Sequence, residues 1–472
     1  MILLEDKIYV NIEDLDIKKI EKIKKDLTIT NPLWKKAAQL ELSVWGKPQY
    51  LEFYVQKGRH FILPSGYIND LLRQWGPAEK PPQLIDSRFE TSNLLNIQFK
   101  GILKPFQQVA CDIALIKSFG VIQAPTGSGK TVCAIYLIVK RKQPTLILVD
   151  QIELGNQFVN KLIEFTNLTK DDIGFIGNDQ FSIKPVTVAL LQSMHRLDDR
   201  YYDEINKNIG QIICDETHII AADTYYNVMT KLKAKYKIGL SATPKREDGL
   251  TQVIFWATGP IIYTVPFNDV SNIIKPEIVT IPTTYYFPLI SITEYTDMIT
   301  DLSACETRNQ LIVDTVTEKR YKDLQKVLLC DRIMQVIILH KKLPGSDILI
   351  SQISKYDKDK IKSKYGDQEA KEIFKKTSKK HRESIITRLN NETLTTLIST
   401  YGLFHKGIDI VTLEMAAFCA PIRSEVMVKQ CRGRVMRKNK TKKAVIVDFV
   451  DNNIELLSWQ AKARQKHLKD FK

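Results

Sequence analysis

The chain has 472 residues, of which 44% are hydrophobic, enough for several apolar cores and too many for wholesale disorder. Its formal net charge of +15 favours a polyanionic partner such as nucleic acid, although lysine-rich surfaces also serve solubility alone. No apolar run reaches the roughly 20 residues of a bilayer span, and the first residues lack a signal-peptide pattern, so we expect a cytoplasmic protein. The seven cysteines lack the spacing of zinc ligands, so we expect them to be free thiols.

The first 97 residues predict a small α+β domain. Alternation over residues 50–56, the turn signal Lys57-Gly58 and a returning strand at residues 59–63 predict a hairpin, and residues 67–75 predict a helix. Three prolines between residues 77 and 82 then indicate a linker.

Residues 98–265 predict a first α/β domain. Short apolar runs alternate with helical stretches, which indicates a mostly parallel sheet with helices on both faces. The runs are residues 120–123, 145–149, 186–191, 212–214 and 236–240. The first run leads into Ala-Pro-Thr-Gly-Ser-Gly-Lys-Thr at residues 124–131, and a helical stretch follows. Strand, glycine-rich loop and helix are the context of a phosphate-binding loop.

The residue types of this octamer suit a nucleotide, although Ala124 replaces the usual first glycine. Gly127 and Gly129 let the backbone approach a polyphosphate, and N–H groups at the start of the helix then point at the anion. Lys130 can reach the β- and γ-phosphates, and the Thr131 hydroxyl can hold Mg²⁺. A glycine-rich turn without a ligand would not explain this lysine and threonine. The other loop residues assigned to the nucleotide are Pro125, Thr126 and Ser128.

A carboxylate pair follows the apolar run at residues 211–214, where open α/β sheets bind their ligands. Asp215 would hold Mg²⁺ through water, and Glu216 would position and deprotonate an attacking water. Most such pairs are surface charges, but a position after a strand and downstream of a phosphate-binding loop favours phosphoryl transfer. Ser241 and Thr243 follow the next run, and their hydroxyls either link the nucleotide site to a moving domain or cap a helix.

A second α/β domain is predicted at residues 306–455, after a less regular, proline-containing connection at residues 266–305. The lysine-rich residues 355–382 predict solvated helix faces, with strand binding as the alternative, and residues 456–472 predict a basic C-terminal tail. The apolar runs of this domain are residues 327–330, 348–350, 394–399, 415–419 and 444–447.

Residues 430–437 read Gln-Cys-Arg-Gly-Arg-Val-Met-Arg within the second domain. Arg434 and Arg437 are three residues apart, so on a helix they share a face. Two guanidinium groups aimed together suit a γ-phosphate and its transition-state charge. A basic helix face is the alternative, and the fixed spacing to Gln430 favours the functional interpretation.

These motifs, in this order, resemble those of the superfamily 2 DExH helicases over about residues 100–450. Residues 103–107 resemble the adenine-reading Q motif, and residues 149–157, 188–193 and 400–410 resemble motifs Ia, Ib and V. The resemblance implies roles in adenine contact (Gln107), nucleotide binding (Gly407, Asp409), coupling (His218, Ser241, Thr243), catalysis (Gln430) and nucleic-acid contact (Gln157, Gln192, Ser193, Arg246, Thr400).

Within this superfamily the chain resembles XPB-type DNA repair helicases and related phage branch-migration helicases. Arg246-Glu247-Asp248, just after the Ser-Ala-Thr motif, resembles a triplet of the XPB group, and Gly259-Pro260 also fits. Few residues follow the last motif, so a compact phage or viral helicase suits the length better than a subunit of a large repair complex.

The resemblance implies a fold and an activity. We expect two RecA-like domains, built from parallel sheets flanked by helices, preceded by the small α+β domain and with ATP and Mg²⁺ bound between them. Single-stranded DNA would cross both domains, and the protein would move along it 3′ to 5′. An RNA helicase, an ATP-gated nucleic-acid clamp and the motor of a nuclease are the alternatives.

Aromatic and basic side chains of the first domain suggest a contact with duplex or branched DNA. The alternative is that the aromatic rings fill the core of that domain. The side chains are Trp45, Lys47, Tyr50, Phe53, Tyr54, Lys57, Arg59, His60 and Tyr67.

Overall fold

Contacts within the chain group it into two units, Met1–Val270 and Ser271–Lys472. The computed structural model describes residues 1–39, 41, 43–76, 79–91, 95–217, 222–246, 248–270, 274–288, 291, 294–404, 413–436 and 443–470.

A small α+β domain opens the first unit. Its elements are β1 (Ile2–Leu4), β2 (Lys7–Asn11), α1 (Ile17–Asp26), β3 (Thr28–Thr30), α2 (Pro32–Gln39), β4 (Tyr50–Glu52), β5 (Val55–Lys57), β6 (His60–Pro64), α3 (Ile68–Leu72) and β7 (Leu84–Asp86). The main sheet has the order β5-β6-β2-β1-β7, and β3 pairs with β4. The predicted hairpin is formed by β5 and β6, but Tyr50–Glu52, expected in its first strand, form β4 and pair with β3 instead. The predicted helix is confined to α3.

A mostly parallel sheet forms the rest of the first unit. The elements are α4 (Pro105–Ile116), β8 (Phe119–Gln123), α5 (Lys130–Arg141), β9 (Thr145–Val149), α6 (Ile152–Phe165), β10 (Ile173–Gly177), β11 (Gln180–Ser182), β12 (Val186–Leu190), α7 (Leu191–His195), α8 (Asp199–Asn208), β13 (Gln211–Asp215), α9 (Ala222–Met229), β14 (Tyr236–Ser241), α10 (Thr251–Thr258) and β15 (Ile261–Thr264). The strand order is β11-β10-β12-β9-β13-β14-β8-β15. Only β11, which pairs with β10, is antiparallel among these described strands.

The α+β domain shares a hydrophobic core with α10. Tyr67, Ile68 and Leu71 are buried in one cluster with Val253 and Trp256 of that helix. The backbone approach is close, because a Cβ built on Gly66 would lie 2.3 Å from the Phe255 carbonyl oxygen. The first domain is therefore packed on the α/β domain within one unit and is not a separate module.

The second unit is a parallel α/β domain. Its elements are β16 (Glu277–Pro282), α11 (Tyr295–Ala304), α12 (Glu306–Thr317), β17 (Lys326–Cys330), α13 (Ile333–Lys342), β18 (Asp347–Leu349), α14 (Lys355–Tyr365), α15 (Asp367–Lys375), α16 (Lys379–Asn390), β19 (Thr396–Thr400), α17 (Tyr401–Phe404), β20 (Met415–Phe418), α18 (Glu425–Val435), β21 (Val445–Val450) and α19 (Glu455–Lys469). The strand order is β16-β21-β20-β17-β19-β18, and every described pair is parallel.

Helices cover both faces of this second sheet. Along β17, Leu328 and Cys330 join one hydrophobic cluster, while Val327 and Leu329 join another. Alternate residues of a strand point to opposite faces, so the two clusters are the two faces of the sheet. The predicted α/β fold with two parallel sheets is confirmed, and each apolar run named from the sequence contains a strand.

Two boundaries differ from those predicted. The stretch expected as a connection, residues 266–305, contains β16 and α11, and β16 pairs in parallel with β21 in the second sheet. Residues 456–472, expected as a basic tail, lie largely in α19, which buries Leu457, Ala461 and Leu468. An edge strand that follows Pro276 and ends at Pro282 gives no strong apolar signal in the sequence, and neither does an amphipathic helix rich in lysine.

Among the residues that the structure describes, no helix combines the length and the apolar character that crossing a membrane requires.

Candidate nucleotide-binding site

Three neighbouring parallel strands, β13, β14 and β8, bring the predicted motifs of the first unit together. Asp215 ends β13, Ser241 ends β14 and residues 124–131 follow β8. The Ala124 N–H donates to the Ser241 carbonyl over 2.9 Å, which ties the loop to the neighbouring motif. The loop and both motifs therefore lie at the carboxyl edge of the sheet, where α/β proteins bind ligands.

The loop at residues 124–131 has the backbone of an anion site. Gly127 and Gly129 have φ values of +85° and +83°, a region that side chains disfavour. Helix α5 begins at Lys130 directly after Gly129, and no side chain caps its first turn. Within the described residues, the N–H groups of Lys130 and Thr131 at the start of this 12-residue helix have no hydrogen-bond partner, so they can donate to a phosphate, and the helix dipole favours the negative charge.

Lys130 and Glu216 form an ion pair, with 3.0 Å between Nζ and Oε1 and side chains that are 10% and 19% exposed. The pair joins the lysine of the loop to the second carboxylate of the Asp-Glu motif. The two residues are 86 positions apart in sequence (216 − 130), and the alignment of β8, β14 and β13 brings them into contact.

The carboxylates of Asp215 and Glu216 repel each other in a buried environment. Burial raises the pKa of Asp215 above its usual range, the charge of Glu216 adds to this rise, and Lys130 opposes it. Glu216 has a φ of +50°, in the left-handed region that residues other than glycine seldom adopt. Its N–H donates to Asp215 Oδ1 over 3.0 Å. Backbone strain of this kind is concentrated at functional sites.

These residues fit a nucleotide with Mg²⁺. A turn with an uncapped helix start suits a polyphosphate, while one carboxylate and one hydroxyl, Asp215 and Thr131, suit Mg²⁺, which keeps several waters and substrate oxygens as ligands. Within the described residues there is no cluster of three or more histidine, cysteine or acidic side chains that would form an all-protein metal site.

Gln107, assigned to the adenine by resemblance, contacts the loop itself. Its side chain is buried, Nε2 donates to the Ser128 carbonyl over 2.7 Å, and Oε1 accepts from the Lys104 N–H over 2.9 Å. A Cβ on Gly129 would lie 2.4 Å from Nε2. The structure therefore places Gln107 beneath the loop, as a support for its backbone.

Buried hydroxyl groups surround the same edge. Ser128 Oγ, Thr217 Oγ1 and Thr243 Oγ1 are buried and have no hydrogen-bond partner within the described residues. A buried hydroxyl without a partner costs about 1–3 kcal/mol, so such groups suit a polar ligand or a moving partner. Thr217 was not among the predicted site residues, and its position beside Glu216 in the motif is the signal that could have identified it.

The residues assigned to nucleic acid lie mostly beyond the carboxyl ends of strands. Gln157 is on α6 after β9, Gln192 and Ser193 are on α7 after β12, and Thr400 ends β19. Arg246 differs, because its Nε donates to Asp248 over 2.9 Å and 3.1 Å. The arginine and aspartate of the triplet at residues 246–248 thus pair with each other, and Glu247 lies outside the described residues.

In the second unit, α18 carries Gln430 and Arg434, both buried. The Arg434 guanidinium lies 5.5 Å from the centre of the Phe404 ring. Arg432, between them, has a structural role, because NH1 donates to the carbonyls of His467, Leu468 and Asp470 at the end of α19. Helix α18 ends at Val435, so a helical face shared by Arg434 and Arg437 stays a prediction. The assigned residues His218, Gly407, Asp409 and Arg437 lie outside the described residues.

Fold and site together define a class. A parallel α/β sheet presents a phosphate-binding loop, a lysine paired with a carboxylate and a second carboxylate at one edge, and a second parallel α/β domain follows in the chain. These are the parts of a P-loop nucleoside triphosphatase of the RecA-like type.

Family comparisons agree with this class. Residues 100–246 match the family described as "Type III restriction enzyme, res subunit", and residues 307–439 match "Helicase conserved C-terminal domain". The two matches fall on the two α/β domains.

Two curated relatives are helicases. The chain is 26% identical over 484 residues to an Acanthamoeba polyphaga mimivirus protein named as an ATP-dependent RNA helicase, covering 98% of this chain and 84% of the relative. It is 31% identical over 216 residues to the DNA 3′-5′ helicase XPB of Mycobacterium tuberculosis, covering 44% of this chain and 39% of the relative.

A solved structure supports the fold. A Saccharomyces cerevisiae Dbp5 variant bound to RNA and ADP BeF3 aligns with a TM-score of 0.51 and 18% identity, covering 78% of this chain and 88% of that chain. The two family matches show that the chain belongs to the superfamily 2 helicases, ATP-dependent enzymes that act on nucleic acids.

Proposed function

We propose that this protein is an ATP-dependent DNA helicase or translocase that moves 3′ to 5′ and remodels forked and branched DNA. The observation that carries the proposal is the Lys130–Glu216 contact at the carboxyl edge of the sheet, beside the uncapped start of α5. Asp215 and Glu216 then stand where a bound triphosphate would end.

The residues of the first unit divide the chemistry among them. Lys130 and the N–H groups of α5 would hold the phosphates. Thr131 and Asp215 would hold Mg²⁺, which would supply positive charge against the phosphate oxygens. Glu216 orients a water molecule and accepts its proton. Ser241 and Thr243 then transmit the change at the nucleotide to the bound strand.

The second unit supplies positive charge in this proposal. Arg434 and Arg437 balance the charge that develops on the transferred phosphoryl group, and Gln430 orients it. Rapid hydrolysis then requires residues of both units, which couples chemistry to movement along the strand.

DNA is favoured over RNA by the triplet at residues 246–248 and by the XPB relative, whose name specifies a DNA 3′-5′ helicase. The mimivirus relative, named as an RNA helicase, supports the competing assignment. The Arg246 and Asp248 side chains of the triplet form an ion pair just before α10.

Strand displacement tests the assignment. Purified protein with ATP should release the labelled strand from a DNA duplex with a 3′ single-stranded tail, and not from one with a 5′ tail. DNA should also stimulate ATP hydrolysis more than RNA of the same sequence. Release of RNA strands alone would assign the protein to RNA, and hydrolysis without any displacement would indicate an ATP-gated clamp.

A contact with branched DNA is proposed for the tip at residues 43–50 of the first domain. Trp45 is 91% exposed and Tyr50 is 54% exposed. The Lys47 N–H donates to the Val44 carbonyl over 3.0 Å, and Gly46 has a φ of +73°, so a hydrogen-bonded turn presents the Trp45 ring. Phe53 and Tyr67 instead belong to the core, packed with Trp256.

Point variants of the tip test its contact with branched DNA without removing the domain. Trp45→Ala with Lys47→Ala should slow branch migration of a four-way DNA junction while leaving ATP hydrolysis on single-stranded DNA intact. Ile17→Ala, at another exposed apolar residue, should leave both unchanged. Junction processing at the wild-type rate in the double variant would rule out this role of the tip.

A further inference from the structure

A groove lies at the carboxyl edge of the second sheet, where β16 and β21 end side by side. The segment after β16 and the segment after β21 form its walls. The groove has a volume of about 520 Å³, and its lining includes Tyr286, Phe287, Pro288, Leu456 and Trp459. Every residue that lines the groove belongs to the second unit, whereas the described loop and carboxylates of the nucleotide site belong to the first.

The two walls are fixed to one another. Thr283 Oγ1 donates to Asp451 Oδ1 over 2.5 Å, and Asn453 Nδ2 donates to the Tyr285 carbonyl over 3.3 Å. Arg308 holds the same aspartate through Nε at 2.8 Å. The groove is therefore already formed, and binding there would require little rearrangement.

Two aromatic rings stand exposed on these walls. Tyr286 is 68% exposed and Trp459 is 61% exposed, although their neighbours Tyr285 and Leu457 are buried. Neither ring has an aromatic or cation–π partner in the described part of the chain. Large exposed rings flanking a groove indicate a binding surface, because a folded chain gains little by leaving them in water.

A row of lysines continues from Trp459 along α19. Lys462, Lys466 and Lys469 are exposed and follow at spacings of three, four and three residues, which places them on one face of the helix with the ring. Leu457, Ala461, Arg464 and Leu468 form the opposite, buried face. None of the three lysines has an ion-pair partner within the described residues.

The charge and shape of this surface favour a single nucleic-acid strand over other ligands. The row extends about 15 Å along the helix, enough for several phosphates of one strand. Glu455, at the start of α19, is the one acidic residue on this face, against three lysines. An apolar peptide would leave the lysines unused, and duplex DNA would offer no open base faces to the rings.

We propose that the groove binds a segment of single-stranded nucleic acid, with Tyr286 and Trp459 stacking on unpaired bases and the three lysines contacting its phosphates. Aromatic rings with a basic track are the means by which proteins hold single strands without reading sequence. This inference rests on the proposed helicase function and assigns a specific strand-binding surface to it.

Binding of labelled oligonucleotides to the full chain, without ATP, tests the groove. Trp459→Ala and Tyr286→Ala should each weaken binding of a 20-residue oligothymidylate by about 5- to 100-fold, as stacking on a base predicts. Tyr201→Ala is the control, because Tyr201 is also exposed, at 39%, and lies on α8, outside the lining of the groove. It should bind as the wild type does.

A strand with abasic sites keeps its phosphates but lacks bases, so it separates the contribution of stacking from that of charge. The wild type should bind it more weakly than oligothymidylate, and Trp459→Ala should cause no further loss on it. Changing the three lysines to alanine should instead make the slope of log K against log salt less negative by about 2. Thermal unfolding checks that each variant is folded.

Two results would overturn the groove proposal: oligothymidylate affinity unchanged in both aromatic variants, or an equal loss on abasic and normal strands. Both are measured in the absence of ATP. A wild-type protein that binds strands but fails to hydrolyse ATP would count against the proposed function and leave the groove standing.

Discussion

At the scale of single residues, the ion pair between Lys130 and Glu216 joins two groups that hydrolysis would use separately. In hydrolysis, Lys130 would contact the phosphates and Glu216 would contact the attacking water. In this structure the two side chains instead contact each other, with 3.0 Å between Nζ and Oε1. A triphosphate would draw Lys130 away, and this would release Glu216 to act as a base. In our proposal, the pair restrains Glu216 until a nucleotide is bound.

A buried lysine gives a residue-scale prediction on stability. Lys237 in β14 is 2% exposed, and its Nζ donates to the Met229 carbonyl over 3.1 Å. Burial, aided by the charge of Arg88, lowers the pKa of Lys237 from 10.5 to about 7. Between these values the unfolded chain binds more protons, so the contribution of this residue to stability rises with pH and is least favourable below pH 7.

Lys237→Met should therefore raise the free energy of unfolding at pH 6.5, by an amount on the order of a few kcal/mol, and much less near pH 10. Urea unfolding at the two pH values measures this. Lys207→Met, at an exposed site on α8, should have little effect at either pH. A gain in the free energy of unfolding of equal size at both pH values would contradict the lowered pKa of Lys237.

At the scale of elements, the first domain and α10 depend on each other. Helix α10 follows the triplet at residues 246–248, and its Val253 and Trp256 are buried by α3 and neighbouring residues. Movement of the nucleotide-site motifs would therefore be transmitted to the first domain. Deleting that domain would expose this apolar face, so truncation does not test its role cleanly.

The close approach at Gly66 offers a sharper test. A Cβ at this residue would meet the backbone oxygens of Phe255 and Trp256 at 2.3 Å and 2.5 Å, and backbone cannot move aside cheaply. Gly66→Ala should lower the free energy of unfolding by about 3 kcal/mol or more. Gly76→Ala, which would meet nothing within 4 Å, is the control, and equal stability of the two variants would refute the tight packing.

The strands and helices that could be predicted from the sequence are those in which the hydrophobic residues follow one clear pattern. Each apolar run of the two parallel sheets contains a strand, because strands buried on both faces leave an unbroken apolar signal. Strand β16 contains no fully buried residue and ends at Pro282, so its pairing with β21 is visible only in the structure. The docking of the first domain on α10 likewise depends on contacts between residues about 190 positions apart (256 − 66).

The candidate site was predictable in part for the same reason. Loop and carboxylates carry local motifs, so Lys130, Asp215 and Glu216 could be named from the sequence. The roles of Gln107 and Arg432 could not, because each supports backbone carbonyls at 2.6–2.8 Å that no motif specifies. The groove of Tyr286 and Trp459 joins residues from two ends of the second unit.

At the scale of the whole molecule, the two units divide the proposed work. The first unit holds the phosphates and the base, and the second carries the buried Arg434 and, in our proposal, a single-strand groove. Either unit alone would then lack part of what sustained hydrolysis needs. The central claim is that Lys130 and Glu216 act at different steps of ATP hydrolysis.

The most direct test compares nucleotide binding and DNA-stimulated ATP hydrolysis in Lys130→Ala and Glu216→Gln. Both variants should lose hydrolysis by at least about 100-fold. Glu216→Gln frees Lys130 and should bind ATP at least as tightly as the wild type, whereas Lys130→Ala should bind it weakly. Glu204→Gln, at an exposed site on α8, should behave as the wild type. Normal turnover by a folded Glu216→Gln protein would contradict the account.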